Sequence, residues 1–195
     1  MTFDADESQP PALGRRGFLG LGLGAAVAAV VPPVLLTSNT AEAAVYGGVA
    51  RRLSLHNINT GEHFSDVFWA DGKYRPDALK RLDVLLRDHR AKQVHRYDPR
   101  LFDVLWQIQQ RLESQETFQV VSAFRSKKTN ALARRRSRAV AKESYHTRGM
   151  AVDVVLPGRD LHAVAQEAMR MQAGGVGYYP RSGFVHVDTG PVRHW

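Results

Sequence analysis

Residues 144–155 read SYHTRGMAVDVV and place a histidine and an aspartate seven positions apart, with the aspartate inside an apolar run. The run predicts a short buried strand. A carboxylate rarely lies in such a strand without a partner, because an unpaired charge is costly to bury. Asp153 therefore requires a compensating group, and His146 lies just upstream of it.

A second run with polar insertions closes the chain, GFVHVDTGPVRHW at residues 183–195. In an extended strand His186 and Asp188 share one face, while Val185 and Val187 point the other way. The valine face is typical of a core. The polar face carries an imidazole and a carboxylate about 7 Å apart along the strand.

Two imidazoles and one carboxylate are a set of ligands that zinc uses in catalytic sites, where a fourth position is left for water. His146, Asp153 and His186 form such a set. Gly149 permits a tight turn between the first two. A divalent cation at this point would neutralise the carboxylate on its apolar strand.

Simpler interpretations remain open, because His-x6-Asp with a distant histidine is a loose pattern. Asp153 has Arg125 and Arg148 as alternative partners. The remaining histidines with no such context are assigned structural roles: His56, His63, His89, His95 and His162.

The composition limits the chemistry. The chain has 195 residues, 44% of them hydrophobic, and no cysteine. Length and apolar content predict one domain with a proper core. Disulfides and thiolate metal sites are excluded, so any metal site must use histidine, carboxylates and water.

Residues 1–43 are predicted to be a signal peptide of the twin-arginine type, followed by a domain at 44–195. Arg15 and Arg16 precede a Gly- and Ala-rich apolar run, and Ala41-Glu42-Ala43 has the form of a cleavage site. A retained membrane anchor is the alternative, but the apolar run at 17–31 is short for a span. The formal charge is +8, and removal of the acidic signal leaves about +10 by the same counting.

A basic exported domain is expected to meet an acidic partner outside the cytoplasm, in the periplasm, such as carboxylate-bearing wall polymers or anionic lipids. Nucleic acid is disfavoured by the export signal and by the charge layout. The densest basic run, at 134–138, is short, lacks interleaved aromatics, and is equally typical of a solvated helix face.

The pattern of elements predicts an α+β fold, with helices packed on a small antiparallel sheet. The periodicities and turn signals predict a hairpin at 50–69 turning at 59–61, helices at 75–90 and 99–113, a strand at 118–125, a short helix at 126–137, a strand at 150–157, a helix at 160–172, and two strands within 174–190.

Residues 144–154 resemble the Ser-x-His-x-x-Gly-x-Ala-x-Asp signature of zinc metallopeptidases. That superfamily includes D-alanyl-D-alanine dipeptidases and carboxypeptidases, murein endopeptidases, and the amino-terminal signalling domain of hedgehog proteins. Residues 122–126, SAFRS, are similar to the segment that delivers an arginine to the active site. Residues 174–195 and the signal resemble the murein endopeptidase K group. All fixed positions of the signature match: Ser144, His146, Gly149, Ala151 and Asp153.

The resemblance implies a role for each matching residue. One zinc ion per chain would be held by His146, Asp153 and His186. Arg125 would stabilise charge that develops on the substrate oxygen, and Ser144 would hydrogen-bond substrate. A salt bridge for Arg125 and a cap or turn role for Ser144 remain alternatives.

The sequence departs from the family at the general base. Many relatives carry Glu or Asp three residues before the last zinc histidine, where this chain has Gly183. Asp188 is predicted as the base, because it shares a strand face with His186. His194 is the competing base, and a turn cap or a support for a zinc ligand is the alternative role for Asp188.

The function implied by the resemblance is zinc-dependent hydrolysis of the peptide cross-links in peptidoglycan. The bonds expected are those between two diaminopimelates and, as a second possibility, between D-alanine and diaminopimelate. No nucleic acid partner and no membrane span after signal cleavage are expected. The alternatives are a catalytically inactive, zinc-containing peptidoglycan-binding module and a basic polyanion-binding protein whose His and Asp residues are structural.

Overall fold

The computed structural model describes residues 49–137 and 140–195, so the predicted signal segment lies outside the described residues. These residues contain eight strands and four helices. The strands are β1 (Arg51–Asn57), β2 (Glu62–Ala70), β3 (Lys73–Tyr74), β4 (Phe118–Ser122), β5 (Ala151–Val155), β6 (Gly175–Tyr179), β7 (Phe184–Asp188) and β8 (Arg193–His194). The helices are α1 (Pro76–Leu85), α2 (Arg100–Arg111), α3 (Lys127–Arg136) and α4 (Leu161–Arg170).

All eight strands form one sheet, in the order β3-β2-β1-β4-β5-β7-β6-β8. The pairs β1–β4 and β6–β8 are parallel and the others are antiparallel. The predicted α+β class, with helices on a mainly antiparallel sheet, is confirmed.

The predicted hairpin is confirmed as the antiparallel pair β1–β2. Its turn is closed by Asn57, whose carbonyl accepts from the Gly61 amide at 2.8 Å and whose side chain accepts from the Asn59 amide at 3.0 Å. Gly61 has a φ of 73°, a value that suits a residue without Cβ. The hairpin inserts alternate apolar side chains into the core, among them Leu53, Leu55, Phe64 and Phe68.

The core lies between the sheet and the helices. In α2, Leu101, Leu105 and Ile108 are fully buried at helical spacing. Pro76 occupies the first turn of α1 as predicted, where its missing amide hydrogen costs nothing. Val152 and Val154 of β5 join this core, which leaves Ala151 and Asp153 to the opposite face of the strand.

The structure adds two features that the sequence did not predict and corrects the length of a third. Strands β3 and β8 are two residues each, too short to produce a hydrophobic period. The turn at 145–148 forms a 3-10 helix, Tyr145–Arg148. The short helix at 126–137 is a full ten-residue helix, because the Ser126 hydroxyl caps it by accepting from the Thr129 amide.

Among the residues that the structure describes, no helix combines the length and the apolar character needed to cross a membrane.

Candidate metal centre

Three buried side chains from neighbouring elements converge at one point. Asp153 on β5 and His186 on β7 are direct cross-strand partners, and His146 comes from the 3-10 turn that leads into β5. Asp153 Oδ1 lies 2.8 Å from His186 Nδ1 and 3.2 Å from His146 Nε2, and the two ring nitrogens are 3.1 Å apart. The three predicted ligands are therefore brought together.

The turn that carries His146 depends on Gly149. This glycine ends the 3-10 turn with a φ of 64°, and a Cβ placed on it would lie 2.5 Å from the Arg96 carbonyl oxygen. The turn is further tied by the Arg125 amide, which donates to the His146 carbonyl at 3.1 Å. Only glycine adopts this positive φ readily and also leaves room for the Arg96 carbonyl. The glycine of the sequence motif therefore has a geometric cause.

The second nitrogen of each histidine is already engaged. His146 Nδ1 lies 2.8 Å from the Ala123 carbonyl, and His186 Nε2 lies 2.9 Å from Asp188 Oδ2. A carbonyl and a carboxylate can only accept, so these nitrogens donate. In the neutral rings, the remaining lone pairs then face each other and the Asp153 oxygen, which is an arrangement that a cation satisfies.

The donor set fits zinc. Ligand atoms at about 2.05 Å from a tetrahedral ion lie roughly 3.3 Å from one another, close to the distances of 2.8–3.2 Å found here. Anchoring of the far ring nitrogens by acceptors is the usual arrangement around metal-bound histidines. Within residues 49–137 and 140–195, this is the one group of three or more such side chains close enough to share an ion.

The electrostatics of the group favour positive charge. Burial raises the pKa of Asp153, but the charges and hydrogen bonds of His146 and His186 outweigh it and hold that pKa below its usual range. Burial lowers the pKa of His146. For His186 burial acts in the same direction, but the hydrogen bonds to Asp153 and Asp188 prevail and raise its pKa. Asp153 and Asp188, which favour a proton on His186, also favour a metal cation at this point.

Asp188 is fully buried and its carboxylate is saturated with donors. Besides His186, it accepts from the amides of Gly175 and Gly190 at 3.1 and 2.8 Å, and Arg193 donates to both of its oxygens at 3.1 and 2.6 Å. A carboxylate with this many donors is a weak proton acceptor. These contacts favour the supporting role over the predicted role of general base, and the base assignment stays a prediction.

Arg193 is a site residue that the sequence reasoning missed. Its guanidinium holds Asp188 in a two-point contact and lies between the rings of Tyr145 and Trp195, at 4.8 and 5.1 Å from their centroids. The chain Arg193–Asp188–His186 thus orients a ligand from outside the cluster. A lone arginine after a Gly-Pro turn gives no periodic signal, so only the contact reveals it.

A cleft of about 520 Å³ opens beside the three ligands. Arg125 and Ser144 both line it, and the Arg125 guanidinium donates to the Ser144 hydroxyl at 3.3 Å. Arg125 Nε is buried with no hydrogen-bond partner in the described part of the chain, and burial lowers the pKa of the guanidinium. Glu143 also lines the cleft, whereas Asp188 and His194 are not among its lining residues.

One wall of the cleft is aromatic. Tyr179 and Phe184 stack with ring centroids 4.7 Å apart, and Trp195 Nε1 donates to the Tyr179 hydroxyl at 2.7 Å. Trp195 lies close over Gly177, where an added Cβ would come within 2.7 Å of the indole. The sequence reasoning did not assign this wall, because the three rings come from three segments.

The other histidines pack elsewhere. His56 and His63 stack on each other across the hairpin at 4.0 Å, His95 stacks on Phe124 at 4.7 Å, and His162 meets Tyr178 edge to face.

A mainly antiparallel sheet that brings His186 beside the His146 and Asp153 of the Ser-x-His-x-x-Gly-x-Ala-x-Asp segment defines a peptidase of the zinc D-alanyl-D-alanine peptidase superfamily. Within that superfamily, the chain belongs to the family whose model is described as peptidoglycan L,D-endopeptidase MepK, which matches residues 45–195.

Named relatives cover most of the chain. It is 43% identical over 182 residues to the peptidoglycan L,D-endopeptidase MepK of Escherichia coli (strain K12), which covers 93% of this chain and 96% of the relative. It is 48% identical over 146 residues to the probable peptidoglycan L,D-endopeptidase MepK of Haemophilus influenzae, which covers 74% of this chain and 78% of the relative.

Proposed function

We propose that the protein is a zinc-dependent endopeptidase that hydrolyses peptide cross-links of peptidoglycan. The observation that carries the proposal is the convergence of three acceptor atoms of His146, Asp153 and His186 at the edge of an open cleft. The names of the relatives supply the substrate class. An L,D-endopeptidase cuts between an L and a D centre, which favours the link between two diaminopimelates over the link between D-alanine and diaminopimelate.

The ligand set prepares the site before substrate arrives. His146, Asp153 and His186 would hold one zinc ion per chain, with Ala123 and Asp188 fixing the two rings. A bound zinc ion supplies Lewis acidity and lowers the pKa of its water from about 15.7 toward roughly 7. The protein's own contribution is a fixed ligand geometry that needs little reorganisation.

Arg125 is the residue that we expect to act on substrate charge. Its guanidinium is largely buried, its Nε has no hydrogen-bond partner among the described residues, and it lines the same cleft as the three proposed ligands. A guanidinium that is planar and shielded from water can stabilise a substrate oxygen that gains negative charge. It does so better than the mobile ammonium group of a lysine. Ser144 accepts a hydrogen bond from Arg125, and its hydroxyl is available to hydrogen-bond the peptide substrate.

Three variants, measured together, would identify the residue that acts as general base. Asp188→Asn tests the predicted base, His194→Ala the competing one, and Glu143→Gln the carboxylate that lines the cleft and lies 3.5 Å from Arg148. The base is the residue whose loss removes turnover while zinc content stays at one per chain.

We further propose export through the twin-arginine route, with residues 1–43 as the signal, residues 44–195 as the working domain, and the periplasm as its location. The arginine pair at 15–16 and the start of the family match at residue 45 support this boundary. Amino-terminal sequencing of the protein recovered from the periplasm tests it, and a first residue upstream of position 40 contradicts it.

A second candidate function is a zinc-containing module that binds peptidoglycan without cutting it. It is favoured by Gly183, which stands where many relatives carry an acidic base and where an added Cβ would meet no atom within 4 Å. Digestion of purified peptidoglycan separates the two functions. New amino groups at cross-link positions with the wild type, and none with His146→Ala, support the peptidase. Binding of sacculi without any new product supports the module.

A further inference from the structure

Helix α3 carries a set of cations that have no ion-pair partner among the described residues. Eight arginines elsewhere lie within 3.7 Å of a carboxylate: Arg51, Arg75, Arg81, Arg87, Arg100, Arg148, Arg170 and Arg193. In the described part of the chain, no ion pair involves the cations of α3, which we call the basic helix surface: Lys127, Lys128, Arg134, Arg135 and Arg136. No acidic residue occurs in the sequence between Ser126 and Glu143.

The placement of these charges has opposite effects at the two ends of the helix. Lys127 and Lys128 lie in the first turn, where the helix dipole is positive and no acidic residue offsets them. A cation at that end is unfavourable, whereas Arg134, Arg135 and Arg136 lie in the last turn, where the dipole favours a cation. The three consecutive arginines also repel one another. Five like charges on one ten-residue helix, without an ion-pair partner among the described residues, point to an external partner of opposite charge.

The surface does not serve packing. Thr129 and Asn130 are the buried residues of α3, all five cations are exposed, and even Leu132 is 47% exposed. The helix therefore offers its outer face to solvent.

The helix runs alongside the cleft. Arg125, which precedes the capping residue Ser126, and Ser137, which follows the last helical residue, both line the cleft. Ten helical residues span about 15 Å, which is close to the roughly 13–14 Å of four extended residues. The cations are thus spread over a length that matches a short extended peptide.

We propose that the basic helix surface docks the carboxylate-bearing stem peptides of peptidoglycan that neighbour the cross-link in the cleft. This inference rests on the proposed function, because it takes the same polymer as the partner. Diaminopimelate and terminal D-alanine carry free carboxylates, and the polymer repeats them, so several weak contacts add up to useful affinity. The charge of the surface complements these groups.

The basic helix surface strengthens binding of the polymer but does not affect binding of a small soluble substrate. A single soluble cross-linked dimer occupies the cleft and has few carboxylates left to reach α3, whereas intact sacculi present many. Since the cations are exposed, their contribution falls with ionic strength, with a screening length of about 10 Å at 0.1 M salt and about 3 Å at 1 M.

The test uses charge-neutralised variants of the protein and a matched control. The variant Arg134→Gln/Arg135→Gln/Arg136→Gln removes three charges from α3. The control Arg52→Gln/Lys73→Gln/Lys80→Gln removes three exposed charges from the β1–β3 edge of the sheet and α1. Binding to purified sacculi is measured by co-sedimentation at low and high salt. The value of kcat/KM is measured on intact sacculi and on a soluble cross-linked dimer.

We expect the α3 variant to bind sacculi roughly ten-fold more weakly at low salt, with the difference vanishing near 1 M salt. Its kcat/KM should fall similarly on sacculi and stay within about two-fold of wild type on the dimer, while the control behaves as wild type. Sacculi whose carboxylates have been converted to amides should bind wild type as weakly as they bind the variant.

Three results overturn the inference: unchanged binding of the α3 variant, an equal loss in the control, or an equal loss of kcat/KM on the dimer. Tighter, salt-sensitive binding to phosphatidylglycerol vesicles than to sacculi also overturns it, in favour of a lipid surface. Because co-sedimentation does not require cleavage, a wild-type protein that cuts nothing contradicts the proposed function but leaves the docking test readable.

Discussion

At the scale of single residues, the contacts around Asp153 account for the arrangement of the candidate metal centre. Its carboxylate is buried beside the lone-pair nitrogens of His146 and His186, whose other nitrogens are held by Ala123 and Asp188. Each of the two histidines is therefore fixed by an acceptor outside the cluster. The sequence motif and the closing strand predicted His146, Asp153 and His186 as ligands, but the anchors of the two rings come from tertiary contacts that no spacing rule encodes.

The first prediction concerns zinc stoichiometry. Purified protein should contain about one zinc ion per chain, and His146→Ala should abolish tight binding because two ligands rarely hold zinc. Elemental analysis of protein prepared without chelator measures this. The control is His63→Ala, whose ring stacks on His56 far from the cluster in sequence. A metal-free wild type that neither takes up added zinc nor responds to it in melting temperature contradicts the site.

The second prediction concerns Arg125. Arg125→Lys keeps the charge but loses the planar fork, so kcat should fall by about 100-fold or more with zinc content unchanged. Steady-state kinetics on a soluble cross-linked dimer, with elemental analysis, measures both. Arg52→Lys is the matched control. Wild-type turnover in Arg125→Lys would assign the residue to structure, as a partner of Ser144.

The third prediction separates the two roles of Asp188. If it orients His186, Asp188→Asn and Arg193→Gln should both weaken zinc affinity, by about 10–100-fold. Competition with a chelator measures the affinity, and zinc-saturated activity is measured in parallel. His194→Ala should change neither quantity more than slightly. If Asp188→Asn keeps full zinc affinity and loses turnover, Asp188 is the base, as the strand alternation predicted.

At the scale of elements, hydrophobic periodicity and turn residues predicted the helices and the longer strands but missed the two strands of only two residues. The hairpin, α1, α2 and α4 follow from leucine spacing and turn residues, and all four are present. Strands β3 and β8 have two residues each, so they exist through pairing with β2 and β6 alone. Pairing partners are a tertiary property that a single sequence does not display.

Asp88 connects two elements near the cleft. Its carboxylate accepts from the amides of Arg90 and Ala91 in the loop after α1 and from the amide of Ser126, the cap of α3. Burial raises the pKa of this carboxyl, but hydrogen bonds from Thr129, Ser126 and Ala91 outweigh burial and lower it to about 2. The loop, the cap and the basic helix are thus held by one ionised group.

The fourth prediction follows from this contact. Asp88→Ala leaves three amides without acceptors and should destabilise the protein by roughly 2–3 kcal/mol at pH 7. Because the folded pKa lies below the unfolded value, the stabilisation is present above about pH 4 and is lost as the pH falls toward 2. Urea unfolding across pH 2–7 should show the two proteins converging at low pH. Asp77→Ala, at an exposed carboxylate, should cost only about 0.5 kcal/mol.

At the scale of the whole molecule, the order of the sheet decides where the site forms. Strands β4, β5 and β7 are adjacent, so Arg125 after β4, Asp153 on β5 and His186 on β7 reach one cleft although they are far apart in the chain. The sequence predicted the α+β class and, through the resemblance, the ligand set. It did not predict the parallel pairing of β1 with β4, because that contact spans the two helices between them.

The last prediction concerns metal removal, which should act on the whole molecule through this part of the sheet. Zinc that binds only the folded state stabilises it by about 4 kcal/mol at a thousand times the Kd. For a protein of this size each kcal/mol shifts Tm by roughly 2–4 °C. Chelation should therefore lower Tm by about 8–16 °C, because three acceptor atoms are left facing one another in a buried site.

Calorimetry with and without chelator measures the shift, and hydrogen exchange locates it. Protection should fall first in β5, β7 and the 3-10 turn before β5, which carry the ligands, while the β1–β2 hairpin should keep its protection. The His146→Ala variant serves as the control, because neither zinc nor chelator should change its Tm. Equal losses in the hairpin and in β5, or a Tm of the wild type that does not change on chelation, would show that the cluster is not a metal centre that stabilises the fold.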